Sequence, residues 1–217
     1  MILLSYPLSP TTPAYGGGKR PQFEQVRSLE KGDSCNMLEL LLTNHSGTHI
    51  DMPAHFIKSG PTVTQAPLDF WFTTNVGVMD LKRCPAPGQL LGSEDLPLAS
   101  ISADCEALLL KTGWGGHRGE NVYWQNPPGF QPELAADLRQ QCPRLRFFGF
   151  DLISLSSFVN REEGRRAHRA FLGGDQPIHP IEDMDLSALP APIHSLLVSP
   201  FFLEGGDGAP VTVWANL

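Results

Sequence analysis

At 217 residues, with 41% hydrophobic and 18% charged residues, the chain is long enough for one domain with a sizeable core and too apolar to be disordered. A net charge of −7 offers no basic footprint for nucleic acid or an anionic membrane, and no apolar run reaches the length of a membrane span. The apolar start Met1–Leu4 gives way to Pro7 and Pro10, too short for a signal sequence, and Cys35, Cys84, Cys105 and Cys142 are widely spaced with no Cys-x-x-Cys pair. Those thiols are expected to be reduced, in a cytoplasmic protein.

In chain order, Ile2–Leu4 reads as a short strand and residues 7–21 as a loop rich in Pro and Gly. Residues 22–43 read as strands, and the apolar run Met37–Leu42 is expected to anchor the segment that follows. Asn75–Leu81 is a further strand. A short helix is expected after Ser93-Glu94-Asp95, since serine and acidic residues favour a helix start. The continuous apolar run Ala107–Lys111 reads as a buried strand. Pro132 opens a helix reaching about Gln141, and residues 144–151 form a strand that presents Asp151. Residues 161–172 are helical and stop at Gly173-Gly174. Two final strands, 195–203 and 209–215, flank the turn Glu204-Gly205-Gly206-Asp207-Gly208. No internal repeat, domain linker or low-complexity tail interrupts residues 1–217, so a single α/β domain is expected.

The chemistry is concentrated in one place. His45, His49, Asp51 and His55 fall within eleven residues, and neutral imidazole with carboxylate suits a divalent transition metal, commonly zinc. A helix is disfavoured there by Gly47, the β-branched Thr48 and Ile50, and Pro53. The segment therefore reads as a strand end beside a tight loop. Two apart on an extended segment, His49 and Asp51 share one face, and Gly47 lets the backbone fold so that His45 joins them.

The stretch His45-Ser46-Gly47-Thr48-His49-Ile50-Asp51-Met52-Pro53-Ala54-His55-Phe56 resembles the signature of the metal-dependent cyclase hydrolases, a family that includes arylformamidases and isatin hydrolases. The similarity extends to Pro7–Pro13, to Leu109-Leu110-Lys111-Thr112-Gly113-Trp114, to Phe148-Gly149-Phe150-Asp151, to His168–Leu172 and to Ile181–Met184, and so spans nearly the whole chain. It implies a swivelling β/β/α fold, a mixed-sheet open β-barrel-like core with flanking helices, and a homodimer. It implies metal ligation by His45, His49 and Asp51, with acid/base work for His55, whose imidazole can both accept and donate a proton.

One or two divalent metals per chain are expected, zinc first and manganese as an alternative. Where two are held, the resemblance makes Asp51 the bridge and assigns His168 and Glu182 to the second. His179 competes with His168, although on an extended segment it faces away from Glu182. The resemblance also places Tyr15 where an aromatic residue packs on the substrate, and Phe56 and Trp114 are candidates to line the same pocket. Arg118, Tyr123 and Trp124, on a long loop, are expected to gate the site or meet a partner subunit.

The function expected is hydrolysis of a carbon–nitrogen amide bond in a small molecule by metal-activated water, of the kynurenine formamidase kind. The alternatives are hydrolysis of a cyclic amide, as in isatin hydrolases, a dehydratase-like use of the same site, and a metal-binding protein without turnover.

Overall fold

The computed structural model describes residues 1–190 and 192–217. In chain order the strands are β1 (Ile2–Leu3), β2 (Gln22–Arg27), β3 (Met37–Leu41), β4 (His49–Asp51), β5 (Phe72–Thr73), β6 (Val76–Asp80), β7 (Leu90–Leu91), β8 (Ala107–Lys111), β9 (Gly129–Phe130), β10 (Phe147–Phe150), β11 (His179–Glu182), β12 (Ser195–Pro200) and β13 (Gly208–Asn216). The α-helices are α1 (Val122–Gln125), α2 (Leu134–Gln141) and α3 (Arg161–Leu172).

Among the described residues nine strands form one mixed sheet in the order β5-β12-β13-β4-β11-β10-β8-β6, with β1 also paired to β13. Strands β6, β8, β10 and β11 are parallel, and the pairings of β4, β13, β12, β5 and β1 are antiparallel. The parallel half needs crossovers, which α2 supplies between β8 and β10 and α3 between β10 and β11.

The apolar runs of the parallel half are continuous because both faces of the sheet are covered. Leu108, Leu110, Phe148 and Phe150 point one way, into a core shared with Leu134 and Leu138 of α2 and Ala167 and Phe171 of α3. Ala107, Leu109 and Phe147 alternate to the other face. There they join Ile50, Ile181, Leu196, Val198 and Val213, with Val76 and Val78 packed alongside. Inner-face residues of strands far apart in the sheet order thus meet in a single cluster, and the sheet curls into the expected barrel-like core.

Asp151 ties the top of the parallel half together. At the end of β10 it accepts hydrogen bonds from Thr112 N–H (2.8 Å), Thr112 Oγ1 (2.6 Å) and Gly113 N–H (3.0 Å), fixing the loop that leaves β8. This is where the Thr112-Gly113-Trp114 and Phe148–Asp151 stretches meet.

Two local expectations are corrected. The helix after Ser93 is a pair of single 3₁₀ turns, Ser93–Asp95 and Leu98–Ser100, divided by Pro97, which has no N–H to continue a helical ladder. The run from Met37 does not anchor the histidine segment to the main sheet. Among the described residues β3 pairs only with β2, as a separate hairpin, and Met37, Leu38, Leu40 and Leu41 are exposed. Among the described residues no helix is long and apolar enough to cross a membrane.

Helix α3 approaches the Ser154–Ser157 segment closely at Gly164. A Cβ there would lie 2.1 Å from Ser156 Oγ and 2.5 Å from its Cβ. Alanine normally favours a helix interior over glycine by about 1 kcal/mol, but the overlap reverses the sign here. Gly164→Ala is expected to destabilise the protein by about 1–3 kcal/mol, read as a lower urea midpoint at unchanged slope.

Candidate metal centre

Strand β4 lies between β11 and β13, and that placement assembles the site. Its register sets Glu182 of β11 opposite His49, and Gly208 of β13 opposite Asp51. The preceding loop turns back at Gly47, where φ is +65° and an added Cβ would meet Leu8 Cδ2 at 2.8 Å, so only glycine fits. His45 is thereby returned beside Asp51, with Nδ1 2.9 Å from Asp51 Oδ1.

Five side chains converge on one another. His49 Nε2 is 3.3 Å from Glu182 Oε2 and 3.6 Å from Asp51 Oδ1. From α3, His168 Nε2 lies 3.4 Å from Asp51 Oδ2 and 3.6 Å from Glu182 Oε1. Asp51 therefore faces His45 and His49 with one oxygen and His168 with the other. Ligand atoms of His45, His49 and Asp51 lie within 4.8 Å of one another, as do those of Asp51, His55 and His168.

The ring orientations suit metal ligation. His49 Nδ1–H donates to the Gly47 carbonyl (2.8 Å) and His168 Nδ1–H to the Gly164 carbonyl (2.9 Å). A carbonyl only accepts, so each Nδ1 carries a proton and each Nε2 is the nitrogen that faces the carboxylates. The donor set of imidazole nitrogens and buried carboxylates is one that zinc or manganese takes.

Charge makes the same point. Burial opposes a charge on His49, yet its bond to Glu182 and the nearby Asp51 push it up to about 9. His168 is likewise opposed by burial and pushed up to about 10 by Asp51 and Glu182. Burial would raise the Asp51 carboxyl, but hydrogen bonds from His168 and His45 hold it well below the usual carboxylate range. Glu182 is also held down by His168 and His49, against burial and Asp51. It further accepts the Leu155 N–H at 2.6 Å, so this buried carboxylate is partnered by backbone as well as by histidine.

A cavity of about 320 Å³ opens over the cluster, lined by Tyr15, Phe56 and His55 among others. Phe56 stacks on the His168 ring at 4.5 Å, and Tyr15 sits edge-on to Phe158 at 5.4 Å. Trp114 is not among the lining residues. Gly113 takes a left-handed turn and delivers the indole, 2% exposed, into the core beneath the helices. His179 faces away from Glu182, donates to the Arg146 carbonyl at 2.9 Å and packs on Phe70. Burial pushes it down to about 4, so it is a neutral core histidine.

Arg118, Tyr123 and Trp124 do not line the cavity. Arg118 makes a two-pronged pair with buried Asp183 (2.8 and 2.7 Å), and Tyr123, itself fully buried, donates to the same carboxylate at 2.6 Å. These bonds hold Asp183 at φ +52°, and the backbone bend there sets the end of β11 that carries Glu182.

Sequence reasoning missed Asp207. Its Oδ2 lies 2.7 Å from His55 Nδ1 and 3.2 Å from His45 Nε2, and Asn44 donates to its other oxygen. The Asp-Gly pair reads locally as a hairpin turn, and only the pairing of β13 with β4 brings it to the histidines. Ser156, which lies 3.1 Å from His168 Nδ1, was also missed.

The charge arrangement fixes the pH response of the metal-free protein. His49 and His168, raised from 6.5, add stability that is complete below that value and lost as pH rises through about 9 and 10. Asp51 and Glu182, lowered, add stability that is lost as pH falls below the ordinary carboxylate range. Urea unfolding in chelator is expected to show falling stability across pH 8–10, and calorimetry in buffers of different ionisation enthalpy to show proton release when zinc binds at pH 7.

The sequence and the fold both have known relatives. Residues 2–157 match the Cyclase family model, described as "Putative cyclase". The kynurenine formamidase of Bacillus thuringiensis subsp. konkukian is 28% identical over 215 residues, covering 97% of this chain and 94% of that protein. The fold is shared with isatin hydrolase A from Labrenzia aggregata bound to benzyl benzoate, at a TM-score of 0.80, 22% identity, and coverage of 99% and 92%. It is shared also with the "predicted metal-dependent hydrolase from Bacillus stearothermophilus", at a TM-score of 0.75, 20% identity, and coverage of 99% and 96%. With its family model matched across more than half its length, the chain belongs to the Cyclase family.

Proposed function

We propose that this protein hydrolyses a carbon–nitrogen amide bond of a small molecule, with N-formylkynurenine-like aryl formamides as the leading substrates. The observation that carries the reading is Asp51, buried and facing His45, His49 and His168 at the foot of an open cavity, with His55 beside them. The similarity to a kynurenine formamidase along nearly the whole chain supports the choice of an aryl formamide.

His45, His49 and Asp51 would hold one divalent metal, and His168 and Glu182, with Asp51 shared, a second; zinc is the favoured ion. When bound, such an ion lowers the pKa of water and polarises a carbonyl. The chain's own groups supply the rest. Asp207 accepts from His55 Nδ1, which leaves Nε2 as the ring nitrogen that exchanges a proton, and the leaving nitrogen takes its proton from there. Burial and nearby Glu182 push the Tyr15 phenol up to about 12, so it stays a neutral hydrogen-bond donor at the cavity wall. Phe56 gives an aromatic ligand a flat apolar wall.

The test is metal content measured alongside hydrolysis of N-formylkynurenine before and after chelation. Activity abolished by chelation and restored by zinc is expected; bound metal without turnover on formamides or isatin would overturn the reading. His55→Ala is expected to retain metal while losing about 10²–10⁴ in kcat. Asp51→Ala is expected to lose metal and activity together.

The homodimer belongs to the same proposal. The β2–β3 hairpin exposes Leu38, Leu40 and Leu41, and Leu40 and Leu41 share an apolar groove with Phe201 and Leu203. An exposed apolar surface of this kind supports a contact with a second copy. Light scattering is expected to give twice the 23.8 kDa chain mass, and Leu40→Lys with Leu41→Lys to reduce it to the single-chain value.

A further inference from the structure

Three residues of α3 fall on one stripe: Arg161, Arg165 and His168 are spaced i, i+4 and i+7. All three line the cavity. His168 is buried and reaches the carboxylate pair, whereas the two arginines, one and two turns back along the helix, are exposed. At 1.5 Å of rise per residue, Arg165 lies about 4.5 Å and Arg161 about 10 Å along the axis from His168.

Nothing in the proposed reaction uses these guanidinium groups. Arg161 makes no ion pair among the described residues. It lies over the Phe158 ring, 4.7 Å from the centroid, and Phe158 in turn packs edge-on against Tyr15. That stack directs a positive charge along the same wall as Tyr15. Arg165 is paired with Glu162 at 3.1 Å, but both side chains are largely in solvent, where such a pair contributes little and is readily exchanged. The other acidic groups of the lining are engaged: Asp51 and Glu182 with histidines, Asp183 with Arg118.

We infer that Arg161 and Arg165 form an anion subsite in this cavity, the pair of residues that selects a substrate carrying a carboxylate. The inference rests on the amide-hydrolase reading for the identity of the scissile bond. Guanidinium is the planar, permanently charged partner for carboxylate, and a pair of them at the rim of a narrow cavity concentrates anions there. The same feature disfavours small neutral cyclic amides, which leave both arginines unused.

The test compares 4-(2-formamidophenyl)-4-oxobutanoate with its neutral carboxamide on the metal-loaded protein. The wild type is expected to favour the acid at least tenfold in kcat/KM, chiefly through KM. In Arg161→Gln/Arg165→Gln that ratio is expected to collapse toward one, whereas Arg161→Lys/Arg165→Lys, which keeps the charge, retains part of it. Equal kcat/KM for acid and carboxamide in the wild type, or an unchanged ratio in the glutamine variant, would overturn the subsite.

Calorimetric binding of the two deformylated amines keeps the inference separate from turnover. Acid binding at least tenfold tighter than carboxamide, lost in the glutamine variant, supports the subsite even if neither formamide is hydrolysed, in which case the hydrolase reading alone falls. Equal binding of the two amines would overturn the subsite whatever the turnover.

Discussion

Asp51 and Glu182 are buried within a few ångströms of the same imidazoles, on strands that lie side by side. Two carboxylates so placed, in a poorly solvated interior, demand compensating positive charge. Everything around them answers that demand. His45, His49 and His168 turn nitrogens toward them, and the Leu155 N–H closes on Glu182. A divalent cation would satisfy the same requirement, each histidine then contributing a lone pair.

The fold places these groups through the seam of its mixed sheet. Strand β4 is where the parallel half, reached through β11, meets the antiparallel half, reached through β13. One neighbour contributes Glu182 and the other leads out of the turn that carries Asp207. Helix α3 is a crossover of the parallel half, and its glycine lets it sit close enough for His168 to reach across. Strands and helix thus carry His49, Asp51, Glu182 and His168, while His45 and cavity-lining residues such as Tyr15 and Phe56 lie outside them. Such a division leaves cavity shape freer to vary than the metal-binding set.

Legibility in the sequence followed the distance over which each feature is encoded. The His45–His55 segment could be read directly, since its candidate ligands are local and Gly47 and Pro53 exclude a helix. Strand β8 and helices α2 and α3 were equally plain from apolar runs and stop signals. Asp207 was not, because the pairing that brings it to His55 spans most of the chain and leaves no local pattern. Trp114 was misplaced because a left-handed Gly113 decides which way the indole turns, and that choice belongs to the tertiary packing. The exposed apolar hairpin misled in another way. Period and hydrophobicity identify a strand, but they do not say whether its own chain covers it.

The pairing of β13 with β4 carries a consequence for biogenesis. His45 leaves the ribosome 162 residues before Asp207, and β4 has no neighbour on that side until β13 has been made. During synthesis the histidine-rich loop therefore stays open on that side long after it has been made. The last strand both extends the sheet and brings in Asp207, so the full cluster assembles late in the life of each chain.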